Sequence, residues 1–132
     1  MSSIKPKTTP AIPGSSKRDQ ITPYITLDGS QIRELIHPAL HGNQAQSLAE
    51  ASLPPGGQTQ LHRHHRSEEI YHVLAGEGMM QLGETHFSIG PGDSICIPPG
   101  TAHALENTGN TTLRLLCCCS PAYAHDDTEL LS

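Results

Sequence analysis

His62, His64, Glu69 and His103 are three imidazoles and one carboxylate brought close together in a short stretch of chain. Neutral imidazole nitrogens with a carboxylate oxygen suit a divalent first-row ion, and affinity order alone does not choose among Mn, Fe, Co, Ni, Cu and Zn. If the ion is six-coordinate, four protein ligands leave two positions for water, substrate or dioxygen, and an open position is what catalysis at a metal needs. Glu69 is also a candidate base, freed for that role when substrate displaces it from the ion. Tyr71 shares parity with Glu69 and is expected to point the same way, either as packing or as a hydrogen-bonding contact to substrate.

The elements around these residues give the spacing a physical reason. Successive side chains of a strand point to opposite faces, so His62 and His64 look one way while Leu61 and Arg63 look the other. The polar stretch His65-Arg66-Ser67-Glu68 lets the chain double back, and Glu69 then opens an alternating run, Glu69-Ile70-Tyr71-His72-Val73-Leu74, that ends at Gly76 and Gly78. Gly90-Pro91-Gly92-Asp93 reads as a turn, Ser94-Ile95-Cys96-Ile97 as a strand, and Pro98-Pro99-Gly100 as a second turn. Pro98 cannot donate to a ladder, so it marks a corner, and His103 arrives from a different strand.

Two spaced motifs contain these positions: Gly56-x5-His62-x-His64-x4-Glu69-x6-Gly76 and Gly92-x5-Pro98-x-Gly100-x2-His103-x3-Asn107. They resemble, with none of the ten positions substituted, the two signature motifs of the cupin superfamily of small β-barrel metalloproteins. The resemblance covers Gly56 to Asn107 directly, and the short spacer is similar to that of the compact, single-domain bacterial cupins. It implies an all-β fold, a single antiparallel jelly-roll barrel, with one metal ion held by His62, His64, Glu69 and His103 at its centre. It also implies a homodimer, since small cupins usually pair.

Composition agrees. A chain of 132 residues suits one domain. Its 12 Gly and 11 Pro fit short strands joined by turns. With no Trp and one Phe, the core must be built from aliphatic residues and Met. The net charge of −5 and the absence of a basic stripe exclude nucleic acid as a partner. No apolar leader and no long apolar run point to a cytoplasmic protein without membrane contact. Cys96, Cys117, Cys118 and Cys119 show no paired framework, so reduced thiols are expected, with the last three acting as small buried hydrophobes.

Residues 1–20, rich in Pro, Ser and Lys, read as a flexible tail, and 21–132 as the barrel. Strands are expected near 24–27, 31–36, 46–53, 58–64, 69–74, 78–82, 85–89, 94–97, 102–106 and 111–119. The alternation of Leu48, Glu50 and Ser52 decides for strand over helix at 46–53. His37, His41, His65, His72 and His86 read as surface or rim residues, and Gln60 or Gln81 as a candidate polar lining group. If Leu113, Leu115, Cys117 and Cys119 face inward, Arg114 faces outward. Tyr123 to Thr128 reads either as a segment that closes a barrel mouth or as an ordinary turn.

The leading functional expectation is a metal-dependent enzyme of dioxygenase type acting on a small organic molecule. Non-redox isomerisation, decarboxylation or cyclisation at the same metal is the first alternative. A small-molecule binding or sensing protein without turnover is the second, because this fold hosts many chemistries.

Overall fold

The computed structural model describes residues 14–131. Its eleven strands, in chain order, are β1 Tyr24–Ile25, β2 Gln31–Ile36, β3 Ser47–Leu53, β4 His62–His64, β5 Glu68–Ala75, β6 Gly78–Leu82, β7 Thr85–Ile89, β8 Ser94–Ile97, β9 His103–Asn107, β10 Leu113–Ser120 and β11 Thr128–Leu130. They form a six-stranded sheet, β1-β2-β3-β10-β5-β8, and a five-stranded sheet, β11-β4-β9-β6-β7. Every named pairing is antiparallel. This is the jelly roll that the motif resemblance implied.

Alternation builds the interior. Along β10, Leu113, Leu115, Cys117 and Cys119 are buried, while Arg114, Leu116 and Cys118 are only half-buried. Along β5 the inward set is Glu69, Tyr71 and Val73. Met80, Ile97, Leu105 and Leu113 pack between the sheets with Val73, so the core is aliphatic, as the scarcity of aromatic residues requires. Arg114 points outward and meets Glu50 at 2.8 Å.

Gly76 shows why a motif glycine is needed. It has φ +89°, and a Cβ there would lie 2.6 Å from the Thr112 carbonyl oxygen and 2.7 Å from the Leu113 Cα. No side chain fits where β10 passes so close. Asn107, at the end of β9, is fully buried and donates through Nδ2 to the carbonyls of Leu53 at 2.9 Å and Thr111 at 2.8 Å. It satisfies carbonyls at the strand ends that would otherwise be buried without a donor.

Several boundaries differ from the sequence expectation. β4 covers only 62–64, and residue 58 contributes a single bridge to Glu106, because Pro54-Pro55-Gly56-Gly57 delays the regular ladder. Residues 38–41 form one helical turn, begun by Pro38 and capped by the His37 imidazole, which accepts from the Ala39 amide at 3.0 Å. Thr128–Leu130 forms an eleventh strand that local pattern did not announce. Of the stretch read as a tail, residues 1–13 lie outside the described residues. Arg18–Gln20 forms a 3-10 turn, and Arg18 Nη2 lies 2.8 Å from Glu50 Oε1. Among the described residues no helix is long and apolar enough to cross a membrane.

Candidate metal centre

β4 delivers His62 and His64 from alternate positions of one strand, and β9 delivers His103, whose register partner is His62. The ring centroids of His62 and His103 are 4.1 Å apart, and those of His62 and His64 are 5.3 Å apart. Ligand atoms of the three rings all lie within 4.8 Å of one another, and all three residues are buried. They can therefore hold one metal ion.

The outward nitrogen of each ring is already committed. His62 Nδ1–H donates to the Gln60 carbonyl at 2.7 Å, and His103 Nδ1–H to the Thr101 carbonyl at 2.9 Å. His64 Nδ1 lies 2.9 Å from Thr128 Oγ1, and that hydroxyl gives its own proton to the Ala124 carbonyl at 3.0 Å. The hydroxyl oxygen is thus the acceptor and His64 Nδ1–H the donor. In the neutral rings every Nε2 then carries a lone pair, which is the form a metal takes. Burial, followed by the proximity of His103, lowers the His62 pKa and keeps that ring neutral.

Glu69 enters from β5. Its Oε1 lies 3.2 Å from His64 Nε2 and 3.4 Å from His103 Nε2. Glu69 Oε1 and His103 Nε2 are both buried without a hydrogen-bond partner. An anionic oxygen facing imidazole lone pairs is repulsive unless a proton or a cation lies among them, so this donor set fits a divalent ion. Burial by itself raises the Glu69 carboxyl, but a proton carried at the Nε2 of His103 or His64 outweighs it and holds the pKa at about 2, and Glu69 in turn raises the His64 pKa, so positive charge is favoured at this point. Asp28, from the turn before β2, brings Oδ2 to 3.4 Å from His62 Nε2, while its Oδ1 accepts from the Ser30 amide at 2.9 Å and hydroxyl at 2.7 Å. Cys119 donates its thiol to Glu69 Oε2 at 3.3 Å. Burial and then the Glu69 charge push the Cys117 and Cys119 thiols far up, so both stay protonated and neither offers a thiolate.

The centre opens into a cavity between the sheets, narrow inside and about 590 Å³ in all when its mouth is counted. Ile32, Leu53, Leu105 and Leu115 supply apolar wall, and Asp28, Glu34, Tyr24 and Tyr123 supply polar groups.

The cupin-domain profile matches residues 49–119. The chain belongs to the cupin family. An uncharacterized protein of Methanocaldococcus jannaschii is 54% identical over 86% of this cupin and 90% of that protein. The oxalate-binding protein of Thermotoga maritima is 41% identical over 59% of this chain and 64% of its own. Among solved structures, a predicted oxalate decarboxylase from Thermotoga maritima superposes with a TM-score of 0.71 at 31% identity, covering 80% of this chain and 96% of that one. A polyketide cyclase from Streptomyces resistomycificus, at 24% identity, shares the fold with a TM-score of 0.76 over 89% of this cupin and 84% of its own chain.

Of the four residues read as ligands, His62, His64 and His103 cluster, and Glu69 approaches His64 and His103. Tyr71 also points inward, 5% exposed, with its ring edge-on to His103 at 6.1 Å between centroids. Gln60 is exposed and Gln81 only half-buried, and neither lines the cavity; what Gln60 supplies to the centre is its carbonyl. His37, expected at the surface, is buried: its Nδ1 caps the helical turn and its Nε2–H donates to the Tyr123 carbonyl at 2.8 Å. Sequence reasoning missed Asp28, Glu34 and Thr128 as groups around the centre. For Asp28 and Thr128 the only local signal was the polar character of two turns.

Proposed function

We propose that this cupin binds one divalent first-row ion through His62, His64, His103 and Glu69 and uses it for non-redox chemistry on a small oxygen-bearing molecule. The observation that carries the reading is the clustering of three buried imidazoles, each Nδ1–H tied to its own acceptor, with the unpartnered Glu69 Oε1 set against the Nε2 atoms of His64 and His103. When bound, such an ion supplies Lewis acidity, polarising a carbonyl or carboxylate oxygen. The chain's own groups do the rest. Asp28 Oδ2 stands beside the centre as a proton acceptor, and its other oxygen is fixed by Ser30. Tyr71, whose pKa is raised by burial and then by Glu69, stays a neutral phenol that packs against His103 and keeps water from that side.

The likeness to a predicted oxalate decarboxylase, 31% identical over 80% of this chain, favours non-redox work over the dioxygenase reading. The names of the two Thermotoga maritima relatives support a small oxygen ligand. A homodimer belongs to the same proposal; light scattering giving the 14.1 kDa of a single chain overturns it.

Metal analysis of protein purified without an affinity tag, followed by turnover assays in air and under nitrogen, tests the function. Bound metal with turnover that persists under nitrogen supports it. Turnover that consumes oxygen and stops under nitrogen replaces it with the dioxygenase reading. Saturable binding with the ligand recovered unchanged leaves a sensor or carrier.

A further inference from the structure

We propose that Glu34, with Tyr24 beside it, is a second recognition point in the cavity, anchoring a hydroxyl or amino donor at the far end of a flat, uncharged molecule whose oxygens meet the metal centre. The inference names a ligand class for the site above and rests on the metal reading.

Sheet register sets the geometry. Glu34 on β2 faces Ala49 on β3, Ala49 faces Cys117 on β10, and Cys117 faces Tyr71 on β5. Four strands in one row, at about 4.8 Å each, place the Glu34 and Tyr71 backbones roughly 14 Å apart. Between them the row offers only Ala49 and Cys117, and the neighbouring row that ends at Glu69 offers only Ser47 and Cys119. Small side chains thus floor a shallow trough between the two carboxylates, and all four line the cavity. A planar molecule fits such a floor better than a branched one.

Glu34 lines the cavity, is 3% exposed, and leaves Oε1 buried without a partner. Its other oxygen, Oε2, accepts from the Tyr24 hydroxyl at 3.5 Å, a long and weak bond. A half-paired buried carboxyl costs stability, so a ligand donor reaching Oε1 supplies what the fold lacks. Burial raises the Glu34 pKa to about 7, which leaves the group able to meet a neutral donor.

Charge excludes the anionic class. Asp28, Glu34 and Glu69 line the cavity, whereas no lysine or arginine among the described residues does. The described arginines are engaged elsewhere: Arg18, Arg33 and Arg114 around Glu50, Arg63 on Glu129, and Arg66 on Asp127. A dianion such as oxalate would meet Glu69 and Asp28 beside the ion, with the ion as its only attraction, and would be too short to reach Glu34.

The test uses the full chain loaded with Zn(II), titrated by calorimetry with 1-(4-hydroxyphenyl)butane-1,3-dione, 1-phenylbutane-1,3-dione and oxalate. The hydroxylated dione is expected to bind about fivefold tighter than its phenyl counterpart, the worth of one hydrogen bond. Oxalate is expected to bind more weakly than either dione. Glu34→Leu should erase the hydroxyl preference while zinc content stays at the wild-type level, and Glu34→Gln, which keeps an acceptor oxygen, should retain it. Thermal melting of Glu34→Leu is read first, and a midpoint no lower than wild type is expected because an unpaired buried group is removed. A clearly lower midpoint overturns the premise. A zinc-loaded protein that prefers oxalate, or a leucine variant that keeps the hydroxyl preference, overturns the inference alone. Failure to hold zinc overturns the metal reading and this inference with it.

Discussion

Two glutamates stand in the same cavity, both nearly inaccessible, Glu69 5% and Glu34 3% exposed, yet they are opposites. Burial raises the pKa of each. At Glu69 the adjoining imidazoles of His103 and His64 reverse the effect and hold the carboxyl at about 2. At Glu34 the Tyr24 phenol is the only opposing influence and a weak one, so the carboxyl sits at about 7. Desolvation sets a common starting point, and the partners decide which carboxylate is ionised. On the proposed reading, one end of the cavity takes a cation and the other a neutral hydrogen-bonding group.

The strongest way to break this contrast is at the imidazole end. His103→Ala should weaken metal binding by about a hundredfold or more, read by metal analysis after dialysis. Full retention of metal would remove the cationic half of the comparison. Next in size is the pH dependence of stability. The folded pKa of Glu34 lies above the ordinary carboxyl value of 4.5, so the folded state holds that proton more tightly than the unfolded chain does. Its contribution is complete below about pH 4.5 and is lost as pH rises through about 7, a decline of about 3 kcal/mol. Tyr24 and the protonated Cys117 and Cys119 thiols, the titratable groups that sense Glu34, stay neutral across this range. Urea titrations at pH 5 and pH 8 should show the decline in wild type and not in Glu34→Gln; equal slopes would place the carboxyl in water.

Thr128→Val leaves His64 Nδ1–H without its acceptor and should weaken metal binding by about tenfold, with competition against a chelator as the measurement. Unchanged affinity would make Thr128 a bystander. The smallest effect is expected from Tyr24→Phe, which removes the one bond that lowers the Glu34 pKa. The stability decline should then extend to higher pH, with less than about 1 kcal/mol of difference at pH 7. A shift toward lower pH would contradict the assigned hydrogen bond.

Part of the histidine cluster was legible because its information is local. His62 and His64 are two apart on one strand, Glu69 is the second residue of the strand that follows, and parity predicts that each set shares one face of its strand. The far end was not, because Glu34 becomes a cavity group only when β2 pairs with β3 and β3 with β10. Nothing near residue 34 reports that pairing. Thr128 is a similar case: Asp126-Asp127-Thr128 looks like any polar turn until β11 lies beside β4 and sets Thr128 opposite His64. His37 was misjudged because the sequence pattern showed the end of a strand and not the helical turn that its ring caps. The strand menu itself was largely readable from alternation and from Gly and Pro punctuation, with its errors at ends where a turn displaced the first ladder bond.

The Thr128 hydroxyl that orients His64 is separated from it by 64 positions of sequence. During biosynthesis the coordinating rings consequently emerge well before the brace that orients one of them. On the proposed metal reading, fixing the aim of the His64 ring awaits the pairing of β11 with β4, so one of the three imidazoles takes its final orientation only after the other two are in place in sequence order.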